Sequence, residues 1–242
     1  MRTAFLSKSP SSFLFSGLHF IQSEGSTFSP SDVSGMIVWF KADAITGKVD
    51  NDTITQWDDS SGNAYHANTT NGTGGSAPNY KTNIINGLPV VRFTSDKLET
   101  PSITELSTNM TAFIVFKGST GGYAVSFDKD SSQNAIIYGF IANKLEIFNS
   151  PRLEIGDFNV FAYGTILRKA SSAETTVRRN GTQTNTSATV ITTTADAITI
   201  GARAAAAEPC GCDIAEFILY DSYLSAGNIT SVESYLATKY GL

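Results

Sequence analysis

Two pairs of carboxylates are the first residues in this chain that could do chemistry: Glu154 with Asp157, and Asp213 with Glu216. A retaining glycosidase needs two carboxyl groups about 5–5.5 Å apart, which a β-strand supplies by placing them two or four positions apart on one face. Both pairs have odd spacing, which on a regular strand sends the two side chains to opposite faces. No hydrolase is expected from them. A Ser-His-Asp triad would have to use His19 or His66, and neither lies near a Gly-x-Ser-x-Gly elbow. No glycine-rich loop carries the lysine that nucleotide phosphates require. No catalytic residue is therefore assigned.

Other reactive or binding groups read as follows. Cys210 and Cys212 would close a strained ring as a disulfide, and they read as ordinary thiols at a strand entry. Asp58-Asp59-Ser60-Ser61-Gly62-Asn63 has the composition of a turn whose side chains bond its own backbone. An aromatic face gives apolar contact to a sugar ring. Trp39 and Trp57 sit inside apolar runs and are expected in the core, whereas Tyr65, Tyr80 and Tyr123 lie in or beside loops and are the candidate carbohydrate-binding residues.

The elements that must position these groups are short strands. Met36-Ile37-Val38-Trp39-Phe40, Val90-Val91-Arg92-Phe93, Ala112 to Phe116, Tyr123 to Phe127, Lys144 to Phe148, Phe158 to Ile166, Thr175 to Arg179 and Ile214 to Tyr220 are apolar, β-branched or aromatic runs separated by Asn, Gly, Asp and Ser. Asn180-Gly181 signals a type I′ hairpin, and Ala142-Asn143 a second hairpin. One helix is predicted after Ser225, with Ile229, Val232, Leu236 and Tyr240 on a single face and Gly241 beyond its end. The 242 residues are 41% hydrophobic, 16% charged and rich in Gly, and they carry a net charge of -5. The low charge content and the abundance of Ser, Thr and Asn favour β-structure. The negative charge and the absence of a basic cluster argue against nucleic acid, and no apolar run reaches the ~20 residues that cross a bilayer. At the N-terminus Lys8 and Pro10 interrupt the apolar stretch, so no cleaved signal peptide is expected.

Three stretches taken in order carry a resemblance: Gly35-Met36-Ile37-Val38-Trp39-Phe40-Lys41-Ala42-Asp43, Gln56-Trp57-Asp58-Asp59-Ser60-Ser61-Gly62-Asn63, and Ile85-Asn86-Gly87-Leu88-Pro89-Val90-Val91-Arg92-Phe93. Arg179-Asn180-Gly181, Asp213 to Asp221 and Tyr235 to Leu242 continue it. Together they resemble the concanavalin A-like lectin/glucanase superfamily in its laminin-G-like branch, over residues 28–242. The resemblance implies an all-β fold, a two-sheet antiparallel jelly-roll sandwich with one C-terminal helix, preceded by an N-terminal arm of residues 1–27. It also implies calcium as the cofactor to look for, with Asp43, Asp58, Asp59 and Asn63 as candidate ligands, since hard cations take oxygen donors from loops. Domains of this kind occur in bacteriophage structural proteins. The expectation is thus a non-catalytic module on a virion surface or in an extracellular setting. It would dock to protein subunits of a larger assembly, or to a second copy of itself, through Phe5, Leu6, Phe13, Leu14, Phe15, Leu18 and Phe20. A free carbohydrate-binding or adhesion module that takes glycans is the alternative.

Overall fold

The computed structural model describes residues 27–71, 75–103, 109–127, 137–141, 143–147, 152–169, 172, 174–188, 197–203 and 208–242. Two eight-stranded sheets account for most of them. The first contains β1 (Met36–Lys41), β4 (Asn79–Ile85), β5 (Leu88–Phe93), β7 (Met110–Thr120), β12 (Ala162–Lys169), β13 (Glu174–Arg179), β14 (Thr182–Ser187) and β16 (Gly211–Tyr220). Their order is β14-β13-β12-β7-β16-β5-β4, with β1 also pairing with β16. The second contains β2 (Gln56–Trp57), β3 (Ala67–Asn68), β6 (Leu98–Glu99), β8 (Gly122–Ser126), β9 (Ile137–Ile141), β10 (Lys144–Ile147), β11 (Leu153–Asp157) and β15 (Thr199–Ile200). Its order is β11-β10-β9-β8-β15-β6-β3-β2. Pairing is antiparallel throughout both sheets, giving the expected jelly-roll sandwich.

Between the sheets lies a core built on Phe40, Trp57, Phe93, Phe116, Phe127, Phe158 and Phe217, each essentially closed to solvent. A second core lies on the far side of the first sheet, where α1 (Ala226–Tyr240) packs Ile229, Val232, Leu236 and Tyr240 against Trp39, Phe113, Val115, Ile218 and Tyr220. Being covered on both faces, β7 and β16 are buried almost continuously rather than at alternate residues. The Ser225 hydroxyl caps α1 by accepting from the Asn228 N–H, and Gly241, at φ 67°, closes the helix. At the predicted type I′ turn Asn180 and Gly181 both have positive φ.

The layers are therefore helix, first sheet, second sheet. Along β6, β8, β10 and β15 the apolar residues Leu98, Val125, Leu145, Ile147 and Ile200 enter the inter-sheet core, and their polar neighbours turn to the opposite face. The docking residues expected in the arm, from Phe5 to Phe20, lie outside the described residues, as does His19.

Candidate functional site

The outer face of the second sheet gathers polar groups that no spacing rule brings together. Register places Asn68 opposite Glu99, Glu99 opposite Thr199, and Thr199 opposite Ser126, so one polar row crosses β3, β6, β15 and β8. Glu99, Thr199 and Ser126 are 2%, 0% and 0% exposed. Glu99 has the Lys97 ammonium 3.5 Å from its carboxylate. The hydroxyls of Ser126 and Thr199, by contrast, are buried and form no hydrogen bond. A hydroxyl buried in this way costs about 1–3 kcal/mol. Thr175, in β13 of the other sheet, has the same status but stands alone.

A second row runs parallel to the first. Tyr123 lies opposite Gly139, Gly139 opposite Glu146, and Glu146 opposite Glu154. The Arg152 guanidinium is 3.3 Å from Glu146, Lys144 is 2.7 Å from Glu154, and Arg203 is 4.0 Å from Glu208. Burial, and then Glu208, raises the Tyr123 phenol above its ordinary range. Burial likewise raises Glu146.

The carboxylate pairs need a correction. A bulge where Ile214 and Glu216 face Phe116 and Val115 restores parity, so Asp213 and Glu216 share the helix-facing side of β16. The shift that pairs Leu145 with Gly156 and Glu146 with Glu154 does the same for Glu154 and Asp157. Each of the first two carboxylates is nonetheless fully engaged. Asp213 receives Arg92 through two hydrogen bonds of 2.6 and 2.8 Å. Glu216, 1% exposed, accepts from Trp39 Nε1 at 2.5 Å, Tyr240 at 2.7 Å, Lys239 at 2.8 Å and Tyr235 at 3.4 Å, while Lys239 reaches Asp43 at 2.9 Å. Burial, then Glu216, holds the Tyr235 and Tyr240 phenols protonated far above the usual range. This network pins α1 to the first sheet.

The structure scatters the candidate calcium ligands. Asp59 spends both carboxylate oxygens on protein donors: Trp39 N and Ser61 N on one, the Ser61 hydroxyl and Tyr65 N on the other. Asn63 donates its amide to the Met36 and Ile37 carbonyls. Asp58 is exposed beside Gln56 and His66, and Asp43 is bound to Lys239. These residues do not fit a calcium ion, and no group of three or more His, Cys, Asp or Glu among the described residues is arranged to hold a metal.

Of the candidate aromatics, Tyr123 is not an exposed loop residue but lies in β8, 6% exposed, on the polar face just described. Tyr65 is half-buried against the inter-sheet core. Tyr80 is corrected: it is a β4 residue 8% exposed in that core, because strand alternation turns it inward. Trp57 is fully buried and Trp39 is 7% exposed, both in the cores. Cys210 and Cys212 are buried free thiols, and burial pushes the Cys212 thiol up. A groove of about 570 Å³ also runs along α1, between Phe28 and Ser231, Ser234, Tyr235 and Thr238. No helix among the described residues is long and apolar enough to cross a membrane.

No protein-family model matches the chain, and no curated protein matches it in sequence. Solved structures do match it. Domain 4 of AbnA, an extracellular GH43 arabinanase from Geobacillus stearothermophilus, in complex with arabinotriose, has a TM-score of 0.60 at 15% identity, over 82% of this chain and 98% of that one. The botulinum neurotoxin serotype D binding domain has a TM-score of 0.57 at 16% identity, over 83% of this chain and 52% of its own. The binding domain of botulinum neurotoxin DC in complex with SialylT has a TM-score of 0.56 at 14% identity, over 85% and 52%. The chain thus spans about half of each toxin domain. What is shared at these identities is the fold.

Proposed function

We propose that residues 28–242 form a non-catalytic, extracellular glycan-binding module of the concanavalin A-like type, which takes its ligand on the polar face of the second sheet. The observation that carries this reading is the pair of adjacent buried hydroxyls, Ser126 and Thr199, left without partners beside Tyr123. A ligand rich in hydroxyl groups supplies what they lack. Two findings support the reading. The similar arabinanase domain, matched over nearly its whole length, is in complex with arabinotriose, and a similar toxin binding domain is in complex with SialylT. In addition, the same-face carboxylates that would suggest hydrolysis are held by cations. The test is a glycan array probed with the full chain and with a Tyr123→Ala variant. Binding to at least one glycan class, weakened about tenfold or more in the variant, is expected. A blank array ends the reading, and sugar release from any bound glycan would replace it with an enzyme.

The assembly role expected for the arm is a separate reading with its support in the sequence, where residues 1–27 concentrate Phe and Leu. Light scattering on the full chain and on a chain beginning at Phe28 tests it. Loss of an oligomer on truncation is the expected outcome, and two monomers would refute it.

A further inference from the structure

We infer that the first sheet carries a second ligand site, for a small organic monocarboxylate. A cavity of about 260 Å³ lies where β5 and β7 end and β16 begins, so the inference is independent of the glycan-binding reading on the other sheet. Register sets its charged groups in one row: Asp213 lies opposite Arg92 on one side and Lys117 on the other. Thr94 and Ser119, each two residues further along its chain, add exposed hydroxyls to the lining, and Phe93 adds an apolar wall. The cations in this lining outnumber the anion. Arg92 gives Asp213 its Nε and one Nη2 hydrogen, at 2.6 and 2.8 Å, and its other N–H groups are uncommitted among the described residues. Lys117, half-buried, makes no ion pair among the described residues; its ammonium faces the Phe161 ring, 5.8 Å from the centre. The other carboxylates that bear on these groups are engaged. Asp50, whose charge reaches Arg92, is held by Lys81 at 2.7 Å, and Asp96 takes the Thr94 N–H and hydroxyl at 2.9 Å each. One positive charge is therefore left over, with charge-assisted donors on both sides of Asp213 to meet a carboxylate. A dianion would set its second charge beside Asp213, which repels it. Volume decides the rest. The cavity far exceeds a bare ion and falls just under the ~300–1,000 Å³ of ordinary small-molecule sites, so the carboxylate comes with a short organic body, lying against Phe93 and between the hydroxyls of Thr94 and Ser119.

The test is a nuclear magnetic resonance titration of the isotope-labelled full chain. The probes are lactate, butyrate and benzoate, each beside its own neutral amide, with phosphate and sulfate as inorganic anions. At least one monocarboxylate should shift the backbone signals of Arg92 to Thr94 and Lys117 to Ser119, with a Kd of about 1 mM or tighter. Its amide should bind at least about tenfold more weakly, and raising NaCl from about 50 to about 300 mM should weaken the acid at least about twofold. No response to any monocarboxylate at about 50 mM overturns the inference, and so do shifts confined to other residues. Tighter binding of phosphate or sulfate than of every monocarboxylate overturns the ligand class. Two variants then separate charge from fold. Lys117→Met keeps the apolar stem and removes the uncommitted cation, and it should weaken the best monocarboxylate about tenfold or more, whereas Lys117→Arg should hold it within about threefold. Unchanged affinity in Lys117→Met overturns the inference, as does an equal loss in both variants, which would mean that packing rather than charge was removed.

Discussion

Replacing Thr199 by Val exchanges a buried hydroxyl for a methyl of nearly the same size on the outer face of β15. Ordinarily such a change is destabilising, because most buried hydroxyls are bonded and their partners would be orphaned. Here the opposite sign is expected. Thr199 is 0% exposed and its hydroxyl makes no hydrogen bond, so folding strips it of water and returns nothing. Val removes that penalty, keeps the β-branch that suits a strand, and opens no cavity. The gain should be about 1–2 kcal/mol, the lower half of the range for an unsatisfied polar group. For a protein of this size that corresponds to a rise in melting temperature of about 3–6 °C. The assay is thermal unfolding followed by circular dichroism, with urea midpoints as a check that the transition keeps its slope. Ser126→Ala should act in the same direction, and the double variant should be non-additive because the two residues are direct cross-strand neighbours. A fall in melting temperature of about 3 °C or more on Thr199→Val would refute the reasoning, since it would mean that the hydroxyl has a partner whose loss is felt.

Lys239→Met removes the cation from a buried carboxylate, Glu216, and should cost about 3 kcal/mol in urea unfolding, with much of the loss recovered when Glu216→Gln is added. At high pH, Tyr220, Tyr235 and Tyr240 stay protonated in the folded state, through burial first and Glu216 second, while in the unfolded chain they ionise at about pH 10. Their folded pKa values are raised, so the stability they contribute is intact below pH 10 and declines above it, by up to about 1.4 kcal/mol per pH unit for each; urea midpoints from pH 8 to 11 should show a plateau and then a fall. Gly122→Ala should destabilise by more than about 2 kcal/mol in the same assay, because φ is 147° and the new Cβ would lie 2.1 Å from the Pro209 carbonyl oxygen. Dialysis against EGTA should leave the melting temperature unchanged, since four protein donors already saturate Asp59; a clear drop would mean that calcium binds and stabilises the fold.

Local pattern carried the architecture well. Apolar, β-branched and aromatic runs marked most of the long strands, Asn180-Gly181 turned where its two positive φ values are tolerated, and the Ile229, Val232, Leu236, Tyr240 stripe became the buried face of α1. What local pattern could not carry is register. Asn68, Glu99, Thr199 and Ser126 come from four strands that are far apart in sequence, and their common row exists only because β15 inserts between β6 and β8. The one trace in the sequence is the repeated apolar-polar dyad, Val125-Ser126, Leu98-Glu99 and, reversed, Thr199-Ile200, which marks half-covered strands but does not say that they adjoin. Tyr80 was misread for a related reason: among polar neighbours it looks like a loop residue, and only its β4 pairing with Val91 turns it inward. Bulges defeat spacing arguments altogether, because one extra residue reverses the face of everything beyond it.

The bulges also bear on how the carboxylate pairs are read. They place Asp213 with Glu216, and Glu154 with Asp157, on common faces, so geometry alone no longer excludes a pair of catalytic carboxylates. Their contacts argue against one instead. A general acid must hold a proton near neutral pH and have room to deliver it. Asp213 is clamped by Arg92 at the wall of a cavity of about 260 Å³, and Glu216 is held by four donors beneath a helix. Glu154 is held by Lys144 on the exposed edge of the sheet. Glu146 alone is raised by burial, and the Arg152 charge beside it pulls the other way. The strongest polar networks therefore lie between α1 and the first sheet, where they hold the fold. The outer face of the second sheet keeps two unbonded hydroxyls, a local instability that a sandwich anchored by two apolar cores tolerates.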